Sequence, residues 1–127
     1  MLNRHETREK IVFALYQHLL LKKDINVCFV NNFDSDDLDD YIRTIRNDVI
    51  DNEESYIDEI SKYLVKWSFD RLNLVEQAIL LEATSEIKQN LNEKAVIIDE
   101  AIILTKQYCD EESFKYINGV LDKICAN

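Results

Sequence analysis

Apolar residues recur every three or four positions along most of the chain, and that spacing predicts helices from end to end. The first runs from about Asn3 to Lys22, where Arg4 and Arg8 lie one turn apart on a stripe continued by Ile11 and Leu15. Past Lys10 almost every direction is apolar, so this helix is expected inside a bundle, its polar first turns protruding and carrying both arginines to the surface. Residues 24–34 lose the periodicity and are expected to form the longest loop. The acidic run that follows suits the first turn of a second helix, where the dipole favours carboxylates, with Leu38, Tyr41, Ile42, Ile45 and Val49 inward. A third helix is expected over roughly Glu53 to Lys66. Asn73 and Glu76 have the spacing of a capping box and open a fourth helix at Leu74, apolar over most of its surface to about Gln89. A fifth starts at Asn92, and Asp110 is expected to cap the last. The short linkers make neighbouring helices antiparallel. Trp67 is expected in the core, where two halves meet.

The last helix, Ser113 to Ile124, puts Phe114, Ile117, Val120, Leu121 and Ile124 on one face. Gly119 falls on the other, flanked by Lys115, Tyr116 and Lys123. It is the only glycine in the chain, and a glycine inside a helix costs about 1 kcal/mol relative to alanine. Two explanations fit: another backbone approaches closely there, or a ligand docks on that face.

With one glycine and no proline in 127 residues, tight hairpins and glycine-rich phosphate loops lack their raw material. The expectation is one all-α domain. The formal charge is -10, from 25 acidic and 15 basic residues. Taken alone it disfavours nucleic acid, although a local basic patch survives on an acidic body. Asp34-x-Asp36 invites a calcium loop, but the turn glycine and closing glutamate are replaced by Asp39 and Ile45. Cys28, Cys109 and Cys125 form neither a metal pattern nor a disulfide framework. His5 and His18 have no carboxylate or thiol at ligand spacing, so no metal, cofactor or catalytic role is expected. The longest apolar run, Ile11 to Leu21, is too short to span a bilayer, and no signal peptide precedes it. A cytoplasmic protein is expected.

Three blocks together resemble the NusB family of bacterial transcription antitermination factors. They are Arg8-Glu-x-x-x-x-Ala-Leu-Tyr16, then Trp67-x-Phe-Asp-Arg-Leu-x-x-Val-Glu-x-Ala-Ile-Leu80, and Ile98-Asp-Glu-Ala-x-x-Leu104 running on through Ser113-x-Lys-Tyr-Ile-Asn-Gly-Val-Leu-Asp-Lys-Ile124. The resemblance implies a compact bundle of six to seven helices in two three-helix halves, about 1–67 and 68–127. It also implies a non-enzymatic function, in which boxA-type single-stranded RNA is bound together with the small ribosomal-subunit protein NusE. Other Nus factors and RNA polymerase complete that assembly, which supports readthrough of ribosomal RNA operons. Carried onto this chain, the family's RNA-contacting positions correspond to Arg4, Arg8, Tyr16, Lys115 and Tyr116. Its partner-contacting acidic positions correspond to Asp70 and Glu76, with Glu112 ahead of the last helix. Lys123 joins the RNA set by its place beside Gly119. The family includes monomers and homodimers. The alternative left open by the charge is an acidic protein-interaction bundle that has lost RNA binding.

Overall fold

The computed structural model describes residues 2–127; Met1, the first residue of the expected domain, lies outside them. Six helices follow in order: α1 (Arg4–Leu21), α2 (Ile25–Asn32), α3 (Asp40–Lys62), α4 (Leu74–Lys88), α5 (Lys94–Tyr108) and α6 (Ser113–Ala126). Two single 3-10 turns, Ser35–Asp37 and Phe69–Arg71, interrupt the longer connections, and there is no strand among the described residues.

Local chemistry sets most of the boundaries. α1 and α4 each begin with a reciprocal capping box, Asn3 with Glu6 and Asn73 with Glu76. The Asp39 carboxylate caps α3 by accepting from the Ile42 N–H at 2.9 Å. α1 stops at Lys22, whose φ of 58° turns the chain into the left-handed region. The axis of the fold is α4, in which every residue from Glu76 to Ile87 is buried. It packs on α1 and α3 from one half of the chain and on α5 and α6 from the other. Leu80, Leu81 and Ala83 are fully enclosed there. All-round burial suits a helix apolar over most of its surface, and its buried acids find internal partners, Glu86 in Arg8 and Glu76 in Ser113.

Several sequence expectations change. Residues 24–34 are not a loop: the Asp24 carboxylate accepts from the Asn26 N–H and starts α2, which buries Ile25, Cys28 and Phe29. A helix of only eight residues spans too few turns for its periodicity to stand out. The expected second and third helices are one, α3. Nothing between Val49 and Glu53 breaks it, because Asn52 spends its side chain on Asp48 instead of capping a new start. α5 begins at Lys94, and α6 at Ser113 without a side-chain cap, so Asp110 is not a capping residue. Trp67 is 56% exposed on the connection between α3 and α4, not in the core.

Buried polar groups tie the helices together. The Asp48 carboxylate, inside α3, accepts from Tyr56 and Asn52 on its own helix and from Ser85 and Gln89 at the end of α4. Four donors satisfy a charge that would otherwise be costly to bury. At the end of α1, His18 Nδ1 is 2.6 Å from the Lys23 carbonyl and Nε2 is 2.9 Å from a Glu53 oxygen. Only the imidazolium donates on both sides. The Glu53 hydrogen bond holds the His18 pKa above its ordinary value, against the opposing effect of burial, and the Lys23 carbonyl adds to it. Because the folded pKa is raised, this clamp stabilises fully below the unfolded value and is lost as pH rises through the folded one. We expect His18→Gln to cost at most about 1 kcal/mol below about pH 6 and progressively less towards pH 8 and above, as read by urea denaturation. A cost that grows with pH would contradict the clamp.

Candidate nucleic-acid interface

α6 turns Ile117, Val120, Leu121 and Ile124 into the core and leaves Lys115, Gly119 and Lys123 outward, with Tyr116 between. The outward side faces a cavity of about 780 Å³. Its other walls are the connection from Tyr63 to Asn73, the first turn of α4, and the stretch Asp110 to Ser113. A Cβ built on Gly119 would meet no heavy atom within 4 Å. Close approach of another backbone is therefore not the reason for this glycine; its bare backbone faces open space on the cavity wall.

Glu76 stands at the cavity with both oxygens engaged. Oε1 accepts from the Asn73 N–H at 3.1 Å, and Oε2 accepts from the Ser113 hydroxyl, joining the start of α4 to the start of α6. The buried Tyr116 hydroxyl has no hydrogen-bond partner. Burial, and then the neighbouring Glu76 carboxylate, push that phenol well above its usual range, so it stays protonated. Glu112 is exposed beside them. Asp70 lines a different hollow of about 490 Å³ with Leu19, Lys22, Ile57 and Gln77, and accepts from the Ser68 hydroxyl at 2.6 Å.

The two arginines of α1 part company. Arg4 is exposed, its guanidinium carbon 3.7 Å from the centroid of the Tyr41 ring. Arg8 is only 2% exposed, which corrects the expectation of a surface residue. Its Nε donates to Glu86 Oε2 at 2.8 Å and its Nη2 to Oε1 at 3.0 Å, a two-pronged bond inside the fold. The reason is its stripe: Arg8, Ile11, Val12 and Leu15 form the side of α1 that meets α4. Burial alone would lower the Arg8 pKa, but the Glu86 bonds outweigh it and hold the guanidinium charged. Behind them, burial and the Glu86 charge raise the Glu82 carboxyl well above its ordinary value, whereas its bonds to Glu82 and Arg8 hold Glu86 low. The available signal in the sequence was Glu82 and Glu86, two acids one turn apart on a helix expected to be buried.

Tyr16 is half-buried on α1, on one stripe with Glu9 and Phe13. The Phe13 ring meets Tyr108 edge-on at 5.3 Å, and the Tyr108 hydroxyl donates to Glu9. That stripe therefore reaches the end of α5, where the chain leaves towards the cavity. The fold gathers Lys115, Tyr116, Gly119, Lys123, Glu76 and Glu112 around one hollow. It sets Arg4 and Arg8 apart, against Tyr41 and the far end of α4, and gives Asp70 to the second hollow. Sequence reasoning missed Lys66, Trp67 and Arg71 on the cavity rim; the loss of periodicity after Leu64 was the available signal. Among the described residues there is no group of three or more potential metal ligands, and no helix is long and apolar enough to cross a membrane.

The NusB family model matches residues 5–126. The transcription antitermination protein NusB of Sulfurovum sp. (strain NBC37-1) is 35% identical over 128 residues, covering 98% of both proteins. The solved structure of T. maritima NusB is similar with a TM-score of 0.89 and 32% identity, over 99% of this chain and 92% of that one. A chain of the solved complex of antitermination factors NusB and NusE with double-stranded RNA gives 0.82 and 25% identity, over 97% and 96%. Matched in sequence and in fold over nearly its full length, this chain belongs to the NusB family.

Proposed function

We propose that the chain is a transcription antitermination factor that binds boxA-type single-stranded RNA together with the ribosomal protein NusE, and so supports readthrough of ribosomal RNA operons. Other Nus factors and RNA polymerase complete the assembly, and the chain acts as a monomer or homodimer in the cytoplasm. The observation that carries this reading is the cavity that places Lys115, Tyr116, Lys123 and the bare backbone of Gly119 side by side. The relative solved with NusE and double-stranded RNA supports it. Arg4, Lys115 and Lys123 serve as phosphate contacts, Tyr16 and Tyr116 as stacking surfaces, and Asp70 and Glu112 as exposed acids for a basic partner. Arg8 and Glu76 act from inside, by holding α1 and the start of α6 in place.

A charge of -10 acts only weakly beyond a Debye length of about 8 Å at physiological salt. Three phosphate contacts give a log–log salt slope of about -2 for single-stranded RNA, which is weak binding by the chain alone. Titration of a labelled A- and U-rich RNA, with and without NusE, tests the reading. Lys115→Ala is expected to flatten the slope by about 0.7, and Tyr116→Ala to weaken binding equally at every salt concentration. Gly119→Ala should raise stability by up to about 1 kcal/mol, since its Cβ enters open space, while Gly119→Leu fills the cavity and weakens RNA binding. Unchanged RNA affinity in all these variants, with NusE present, would move the function to the acidic protein-interaction bundle.

A further inference from the structure

Trp67 is the only tryptophan in the chain, and more than half of its surface is open on the rim of the large cavity. Packing does not account for it. It is not among the side chains packed on the core, and none of the ring–ring or cation–ring contacts among the described residues involves it. The two other aromatic residues of the cavity are differently placed. Tyr63 has Lys123 over its ring at 5.9 Å and its hydroxyl bonded to Asn127, and Tyr116 buries its hydroxyl. Of the three, Trp67 is the one that is exposed.

The surrounding charges say what fits there. Lys66, Arg71, Lys115 and Lys123 line the same cavity, and no ion pair among the described residues uses any of them. Four unpaired cations at one hollow, on a body of net charge -10, are complementary to phosphate. Of the acids present, Glu76 is consumed internally, and Asp110 supplies an acceptor suited to the amino group of a base. The volume falls within the roughly 300–1,000 Å³ of ordinary small-ligand sites.

We propose that Trp67 is a base-stacking platform: an unpaired nucleotide of single-stranded RNA lays its base on the indole, with its flanking phosphates against Arg71 and Lys123. This rests on the RNA-binding reading above and adds two residues that it does not contain.

The lone indole is its own reporter. A short fluorescein-labelled A- and U-rich RNA, followed by anisotropy, measures binding, and the unlabelled RNA is titrated against Trp67 emission. Quenching is expected to track binding. Trp67→Ala should weaken the RNA complex roughly five- to a hundredfold at every salt concentration, the size of one lost base–aromatic stack, and Trp67→Phe should keep most of the affinity. Arg71→Gln should instead flatten the salt slope by about 0.7. Both side chains are exposed, and circular dichroism checks that the variants fold. If the parent binds RNA while Trp67 emission and the affinity of Trp67→Ala stay unchanged, the platform is wrong and the RNA-binding reading stands. If emission responds to NusE alone and not to RNA, Trp67 belongs to a protein interface and the proposal falls. If the parent binds no RNA with or without NusE, the functional reading fails first and takes this proposal with it.

Discussion

Arg8→Ala is expected to destabilise the fold by about 3–5 kcal/mol, the usual cost of leaving one member of a buried ion pair alone. That is a large share of the roughly 5–15 kcal/mol that holds a domain of this size together. The Arg8 guanidinium is the partner of Glu86, whose side chain is fully enclosed, and it also lies 6.0 Å from the Tyr41 ring centroid. Its loss leaves Glu86 beside Glu82 with no cation between α1 and α4. The pH response then changes sign. In the parent, Glu86 has a lowered pKa, so its contribution is full above the unfolded carboxylate value and fades as pH falls through the folded one. Without Arg8, burial and Glu82 push Glu86 upward, and the variant becomes relatively more stable as acid neutralises it. Urea denaturation of parent and variant at neutral and mildly acid pH measures both effects. Arg8→Ala joined with Glu86→Leu should recover part of the loss, because no unpaired charge remains. A cost below about 1 kcal/mol in the single variant would mean that Arg8 is not the buried anchor described here.

Glu76→Lys is expected to cost about 3 kcal/mol and to disturb α6 as well as α4. The Asn73 side chain still caps the N–H of residue 76, but the Asn73 N–H and the buried Ser113 hydroxyl lose their acceptor, at about 1–3 kcal/mol for each group left desolvated. A cation in the first turn of α4 also opposes the helix dipole. Weaker NusE binding by this variant would therefore say nothing about contact, since the cavity wall itself shifts. Glu76→Gln separates the two, because an amide oxygen still accepts from Asn73 while the charge is gone. Loss of stability in Glu76→Lys with near-parent stability in Glu76→Gln, read by thermal melting, is the expected pattern. Equal melting of Glu76→Lys and parent would remove the cap and the Ser113 link from the account. Asp70→Lys, by contrast, alters an exposed side chain and should leave the fold intact, so it is the cleaner probe of the proposed partner surface.

Much of this molecule was legible from residues close together in the chain. The cap at Asn73 was readable because a capping box needs only side chains three positions apart. The buried character of α4 followed from a sequence apolar over most of its surface, and the Asn-Gly-Val-Leu-Asp-Lys block of α6 carried the family. The helix joining Ile25 to Asn32 and the fusion of the expected second and third helices were not legible, because short elements and unbroken polar turns leave no periodic mark. What only the tertiary structure decided is which way individual side chains point. Arg8 looks like a surface arginine until Glu86, 78 positions away, is found against it. Trp67 looks like a core residue until its connection proves to have nothing packed over it. Gly119 looks like a helix contact until the space beside it proves empty. Asp70 and Glu76, six positions apart, end in different hollows because a 3-10 turn and a helix start come between them. The physical reason is the same in each case: helix formation and capping are settled within a turn or two of backbone, whereas burial depends on which distant surface arrives to exclude water.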